Sequence, residues 1–278
     1  MASMPCGSAG VGPSKADLLL NRSGAEVGMG ADFANRDFSK ENAGSISLGD
    51  PLSTASPDES LAVFCDFDGT FSVQDVGGQV AQTHLAERRA ELGARYQKGE
   101  VDAWQYAVEL FDGFRFSAEC IEELLSRIEL DPGARDLLAW CKSRGVPFQI
   151  LSDGFDYNLD RFQQIHGIQF AHASNRLELD DDRWHLSPGG RNPDCACGTG
   201  LCKRAKIESF RSKTPTTICI HIGNGRVSDL CGAEAADIVF AKETLSEALI
   251  ERGVPFYPFE TLHDVIARLN ERSSGLVS

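Results

Sequence analysis

The run Leu61-Ala-Val-Phe-Cys65 followed by Asp66-Phe67-Asp68-Gly69-Thr70 decides the fold. Five apolar, β-prone residues are long enough for a buried strand and too few for a core helix. Two acids and a glycine come directly after them. The pattern recurs twice. Val146 to Leu151 is apolar and ends in Ser152-Asp153-Gly154, and Thr216 to Ile222 ends in Gly223-Asn224-Gly225. Helical spacing fills the intervals, over Val76–Arg95, Ala103–Phe111, Ala118–Ile128, Pro132–Ser143, Phe155–His166 and from Gly200 to about Ser212. A short helix, a strand at Asp237–Ala241, a helix from Leu245, a short strand at Pro255–Tyr257 and a last helix at Leu262–Arg272 complete the series. Gln169–Ala173 is strand-like, and residues 176–187 are expected to form a small hairpin or loop. Strands alternating with helices predict an α/β fold, a parallel sheet with helices on both faces.

The bulk properties set limits. The chain has 278 residues, 41 acidic against 27 basic, for a net charge of −14. An acidic shell repels nucleic-acid phosphates and anionic membranes, so neither is expected as a partner. It also means that an anion-binding site needs local cations or a metal. No apolar run approaches the ~20 residues of a membrane span. The opening residues lack a basic start followed by an apolar stretch, so no secretory signal is expected. A plastid-type transit peptide is disfavoured by Asp17, Glu26, Asp32 and Asp37. Nine cysteines, four of them in apolar runs (Cys65, Cys141, Cys219, Cys231), read as buried free thiols of a cytoplasmic protein. Residues 1–57, rich in Gly, Ser, Ala, Asn and Asp, read as a disordered tail.

In an open parallel sheet, ligands bind beyond the carboxyl ends of the strands. The three tips bring together Asp66 and Asp68, Ser152 and Gly154, and Asn224 and Asp229. Two carboxylates separated by one residue repel unless a cation joins them or one keeps a proton. Both remedies suit phosphoryl transfer, in which one acid attacks phosphorus and the other protonates the leaving group. Mg²⁺ takes oxygen ligands from one or two carboxylates and a phosphate.

The residues resemble the haloacid-dehalogenase-like (HAD) phosphatases over roughly residues 61–270. Cys65-Asp-Phe-Asp-Gly-Thr70 is similar to the first motif of that family, the strand ending at Ser152 to the second, Cys202-Lys-Arg-Ala-Lys-Ile207 to the third, and Ile222-Gly-Asn-Gly-Arg-Val-Ser-Asp229 to the fourth. The resemblance implies Asp66 as nucleophile and Asp68 as general acid/base. It implies phosphate held by Ser152, Asp153, Gly154 and Lys203, and Mg²⁺ held by Asp66, Asp68, Asn224 and Asp229. It further implies a helical cap over 75–130, inserted in a core made of 58–74 and 131–278.

The details match best the 2-hydroxy-3-keto-5-methylthiopentenyl-1-phosphate phosphatase-like group. These are Asp75 nine positions after Asp66, Ser152-x-Gly154-x-Asp156-Tyr157, Cys195, Cys197 and Cys202 before the lysine, and Ala236-Asp-Ile-Val-Phe-Ala-Lys242. Phosphoserine phosphatases are similar in layout. The expected activity is hydrolysis of a small phosphorylated metabolite through an aspartyl-phosphate. A weakened HAD-shaped binding or regulatory protein and a phosphotransferase are the alternatives.

Several readings stay open. The family usually has Asp where this chain has Asn224, which costs the metal site a charge. On charge alone, Asn224→Asp is expected to tighten Mg²⁺ binding, unless an acid such as Asp229 ligates directly. Lys206 competes with Lys203 for the phosphate. Asp75 either meets substrate or caps a helix. Cys195, Cys197 and Cys202 are free thiols or, with a distant fourth ligand, a zinc site. His84, His166 and His221 are expected in core or surface roles. Asp180-Asp-Asp182 reads as a solvated turn.

Overall fold

The structure is a computed structural model that describes residues 60–274, so the expected N-terminal tail lies outside the described residues. Strand β1 (Leu61–Cys65) is buried from Ala62 onward, which explains its unbroken apolar run: a central parallel strand has no face toward water. An irregular turn, Phe67–Phe71, carries the chain off its end. Four helices follow: α1 (Val76–His84), α2 (Ala86–Gln97), α3 (Ala103–Phe111) and α4 (Ala118–Arg127). Then come α5 (Ala134–Arg144), β2 (Phe148–Phe155), α6 (Asp156–His166), β3 (Ala171–Asp180) and β4 (Arg183–Ser187). The remainder is α7 (Lys203–Arg211), β5 (Ile218–Gly223), α8 (Leu230–Ala235), β6 (Ile238–Ala241), α9 (Glu243–Arg252), β7 (Tyr257–Pro258) and α10 (Leu262–Ser274).

The seven strands form one sheet in the order β4-β3-β2-β1-β5-β6-β7. All neighbours run parallel except β3 and β4. Cys65 sits in register with Ile150 on one side and Ile222 on the other, so the three tips end level. One apolar cluster joins Ala62, Phe64, Leu151 and Cys219 to Leu201 and Ile207. A second joins Val239 and Ala241 to Leu245 and Leu249. Among the described residues, no helix is long and apolar enough to cross a membrane.

Two departures from the sequence reading matter for the site. First, β2 runs through Ser152-Asp153-Gly154 to Phe155, with its register to β3 broken: Leu151 pairs Ala173 and Phe155 pairs Asn175. Four steps on one strand match two on the other, a bulge that swings the polar residues out of the ladder. Second, the hairpin expected over 176–187 extends the main sheet. Its turn has positive φ at Asp181 (47°) and Asp182 (61°), the hairpin geometry whose twist matches the strands and which Asp tolerates.

That hairpin supports the end of α3 and the segment 112–116 that follows it. Trp184 is fully buried, its ring centroid 5.6 Å from Phe111, 6.0 Å from Phe114, 6.2 Å from Phe116 and 5.8 Å from Phe155. Its indole N–H donates to the Phe116 carbonyl at 3.1 Å. Backbone bonds from Gly113 to Trp184 (2.7 Å) and from Trp184 to Phe114 (2.9 Å) stitch the same seam. Trp184→Ala is expected to lower stability by about 3–5 kcal/mol, because it empties this aromatic junction. Urea unfolding followed by circular dichroism measures the loss; a change under 1 kcal/mol would show that the seam is not a major source of stability.

Candidate active site

Asp66 stands where β1 ends, its amide donating to the Ile222 carbonyl at 2.8 Å and its side chain almost wholly buried. Lys203 opens α7 and is completely buried. Its Nζ lies 2.5 Å from Asp66 Oδ1 and 2.6 Å from Asp229 Oδ1. Lys206 points elsewhere, donating to the Gly189 carbonyl at 3.2 Å. The structure therefore places Lys203, and not Lys206, against the acids.

Asp229 is the anchor of this group. Oδ1 takes the Lys203 ammonium and the His221 Nε2–H (3.1 Å), and Oδ2 takes the amides of Asn224 (3.2 Å) and Gly225 (2.8 Å). The carboxyl fits only because residue 223 is glycine: a Cβ there would lie 2.5 Å from its carboxyl carbon. Both Asp229 oxygens are engaged by these donors, at the position the sequence reading gave to a metal ligand. Burial alone would raise its pKa, but Lys203 and His221 outweigh that and hold it below the usual carboxylate range. Burial opposes the charge on Lys203 too, and the two carboxylates outweigh it and raise its pKa. His221 is pushed down by burial and is neutral, with no partner for its Nδ1.

Asp66 and Asp68 have opposite surroundings from Asp229. Burial, then the Asp229 charge, pushes Asp66 up to about 7 against the pull of Lys203. Asp68 is raised well above its ordinary value by desolvation, then by Asp75 and Asp66. Its Oδ1 accepts from the Val76 amide at 2.8 Å, and its Oδ2 takes the Ser152 hydroxyl at 3.4 Å. A proton on Asp68 relieves the repulsion between the two acids. Ser152 Oγ in turn accepts from the Gly154 amide at 2.9 Å.

Asp153 and Asp75 also line the cleft. The Asp153 Oδ1 accepts from Asn175 (2.9 Å), Gly200 (3.0 Å) and Leu201 (3.1 Å). This carboxylate braces the loop before Lys203, while Asp153 itself still lines the cleft beside Ser152 and Gly154. Asp75 caps α1 through the Gly78 amide at 2.8 Å while also lining the cleft, so capping and substrate contact are compatible.

Asn224 faces the first turn. Its Oδ1 accepts from Thr70 Oγ1 at 3.2 Å. Its Nδ2 donates to Glu243 Oε2 at 3.0 Å. Gly69, at φ 76°, lies so close that a Cβ would sit 2.4 Å from Asn224 Nδ2. Glu243 begins α9 at φ +52°, a left-handed conformation that costs a non-glycine residue roughly 1–2 kcal/mol. Sequence reasoning missed Glu243, although it directly follows the Ala236–Lys242 stretch. It also missed the task of His221.

The acids outnumber the cations here. Asp66, Asp68, Asp75 and Glu243 line the cleft, and the ammonium of Lys203 is shared between Asp66 and Asp229. The Asp66 carboxylate and the Asn224 side-chain oxygen line this cleft, and both are hard oxygen donors of the kind Mg²⁺ takes. The cleft above them has a volume of about 940 Å³ and rises to Arg89, Tyr96, Tyr106 and Phe111 on the helices.

Comparison with known proteins places this geometry. The chain is 27% identical to a polyol phosphate phosphatase of Saccharomyces cerevisiae over 77% of this chain and 94% of that one. It is 24% identical to a 2-hydroxy-3-keto-5-methylthiopentenyl-1-phosphate phosphatase of Brevibacillus brevis over 79% of this chain and 99% of that one. Among solved structures, a phosphoserine phosphatase carrying a phospho-aspartyl intermediate analogue superposes with a TM-score of 0.55, at 18% identity, over 76% of this chain and 99% of that one. A model of the haloacid dehalogenase-like hydrolases matches residues 63–234, strand β1 through α8 with every tip residue between, and the chain belongs to that family.

Proposed function

We propose that this chain is a Mg²⁺-dependent phosphomonoesterase acting on a small phosphorylated metabolite, with Asp66 as nucleophile. The observation that carries the reading is the pairing of unlike carboxyls at one strand tip. Asp66 is held by an ammonium, and Asp68, close beside it, is disposed to keep a proton. Environments that push two acids apart divide nucleophile from acid. Asp66 attacks phosphorus, and Asp68 gives its proton to the departing oxygen. Asp68, now a carboxylate, takes a proton from the water that cleaves the aspartyl-phosphate. Lys203 and the Ser152 hydroxyl offset charge on the phosphoryl oxygens. Bound Mg²⁺, held by Asp66 and Asn224 with a main-chain oxygen of the Asp68 turn, would neutralise further phosphate charge.

The named activities of the two relatives, on a polyol phosphate and on a small keto phosphate, support a metabolite-sized substrate. So does a cleft of about 940 Å³ lined by tyrosines and Arg89. Glu243 weighs against a weakened binding protein, because it puts a carboxylate beside Asn224 where the loop has lost one.

Asp66→Asn should abolish turnover of an aryl phosphate while leaving the circular dichroism spectrum unchanged. Beryllium fluoride should attach to Asp66 in the wild type. Activity in the variant within tenfold of wild type, or an adduct on another residue, would overturn the assignment.

Glu243 changes what is expected of Asn224→Asp. The new carboxylate would face that of Glu243 across about 3 Å, and like charges so close cancel the gain. Alone, Asn224→Asp should therefore leave Mg²⁺ affinity nearly unchanged. Asn224→Asp combined with Glu243→Gln should tighten it relative to Glu243→Gln by about tenfold, or ~1.4 kcal/mol. Calorimetric titration of the four proteins decides; equal gains with and without Glu243 would dismiss the compensation.

Protons and Mg²⁺ compete for Asp66, whose carboxyl titrates at about 7. The acid form prevails below that pH and the ligand form above it. Apparent Mg²⁺ affinity should fall about tenfold for each pH unit below 7 and level off above 8. A profile flat from pH 5.5 to 8.5 would show that Asp66 is not a ligand.

A further inference from the structure

The loop between β4 and α7 has little to hold it by ordinary packing. Residues 188–202 contain four glycines and two prolines before Leu201, and form no regular element. Yet the loop carries Lys203 into the site, and it must be ordered for the 2.5 Å contact with Asp66 to exist. It contributes Cys195, Cys197 and Cys202. The fold adds a cysteine the sequence did not associate with them, Cys231 of α8, expected to be an isolated buried thiol. The sulfurs of Cys195, Cys197, Cys202 and Cys231 all lie within 4.8 Å of one another, with Cys202 and Cys231 buried. The four are unbridged thiols.

We infer that Cys195, Cys197, Cys202 and Cys231 form a structural zinc site that clamps the lysine-bearing loop to α8. Zinc binds thiolates at about 2.3 Å in a tetrahedron, which puts sulfurs about 3.8 Å apart. The observed group needs to contract by about an ångström at most. Polynuclear iron–sulfur cages hold their thiolates farther apart than this. Four protein thiolates leave no open position, the mark of a structural and not a catalytic zinc.

The surroundings suit bound thiolates independently of their spacing. Backbone amides of Thr199, Ala205 and Arg204 donate toward the sulfurs of Cys197, Cys202 and Cys231. The Thr199 hydroxyl is shared between Cys197 Sγ (3.2 Å) and the Leu201 carbonyl (2.9 Å). Ala205 and Arg204 belong to the first turn of α7, whose positive end favours anions. Such N–H···S and O–H···S bonds drain charge from sulfur and orient the ligands. Protons displaced from the four thiols pass to solvent.

The position gives the clamp its purpose. Cys202 directly precedes Lys203, and Cys231 comes two residues after Asp229. The zinc would thus join the two segments whose side chains meet in the 2.6 Å Lys203–Asp229 contact. It lies beside the phosphoryl site, uses none of its oxygens, and does not depend on the substrate reading.

The test is elemental analysis of the full chain, purified under reducing conditions without a metal-affinity step and dialysed against Mg²⁺. About one zinc per chain is expected in wild type and in Asp66→Asn. The pair Cys197→Ser, Cys231→Ser should carry less than a tenth of that. If the pair fails to fold, wild type decides alone: exchange of its metal for Co²⁺ should produce the intense visible bands of a tetrahedral tetrathiolate. Zinc lost from Asp66→Asn but kept by the cysteine pair would move the metal to the carboxylates and overturn the proposal. So would iron in place of zinc, disulfides among the four cysteines by mass spectrometry, or four thiols that react freely in metal-free native protein.

Discussion

One buried ammonium organises the functional end of this molecule. Lys203 sits completely buried between Asp66 and Asp229, so three segments distant in sequence must meet within hydrogen-bond distance. Taking a cation and two anions out of water costs several kcal/mol per ion, and only close, fully bonded geometry recovers it. That explains the density of donors around Asp229: Lys203, His221 and two loop amides. It also explains the glycine at 223, since any side chain would displace the carboxylate that fixes the lysine. The asymmetry of the triad sets the chemistry. Asp229 receives the hydrogen bonds and is held ionised, whereas Asp66 receives less and remains basic enough to react.

The sheet was legible because its central strands are buried on both faces and must be unbroken apolar runs. The tips β1, β2 and β5 were legible because each run stops at Asp, Ser or Asn beside glycine. What the sequence could not show was which way each polar side chain turns. The carboxylates of Asp153 and Asp229 look alike in sequence to that of Asp66, yet the fold engages Asp153 with Asn175 and the loop at Gly200, and Asp229 with Lys203. Lys203 and Lys206 are both basic residues early in one helix; three positions along α7 turn one into the core and the other toward the Gly189 carbonyl. Cys231 stood 29 residues from Cys202 in sequence, and only the packing of α8 against α7 makes them neighbours.

The helical insertion depends on a different kind of contact. It presses an aromatic cluster, Phe111, Phe114 and Phe116, onto Trp184 of the hairpin. The same hairpin leads into the cysteine loop, which is tied to the insertion again by the Trp104 amide and the Gly198 carbonyl at 2.9 Å. The wall that shapes the cleft and the loop that delivers the lysine therefore share one support. A change in the insertion that shifted Trp184 would reach the phosphoryl site through this loop, by displacing Lys203 and not by touching the reacting carboxyls.

The asparagine at 224 shows how such a site keeps its charge while changing its residues. A carboxylate at that position would add to the repulsion from Asp66 and Asp68 whenever no cation is bound. With asparagine, the loop presents an oxygen toward Thr70 and turns its amide to Glu243, so a negative charge stays near but is held by a hydrogen bond in the free protein. The left-handed backbone of Glu243 is the local cost of that arrangement. Strain is kept only where the surroundings enforce it, and here they do: the Asn224 carbonyl accepts from the Leu245 amide (2.8 Å) and the Thr244 hydroxyl (3.1 Å), fixing the start of α9 against the loop. The loop thus places an amide and the helix beside it a carboxylate at one spot, the anionic field on which the proposed divalent-cation site would rest.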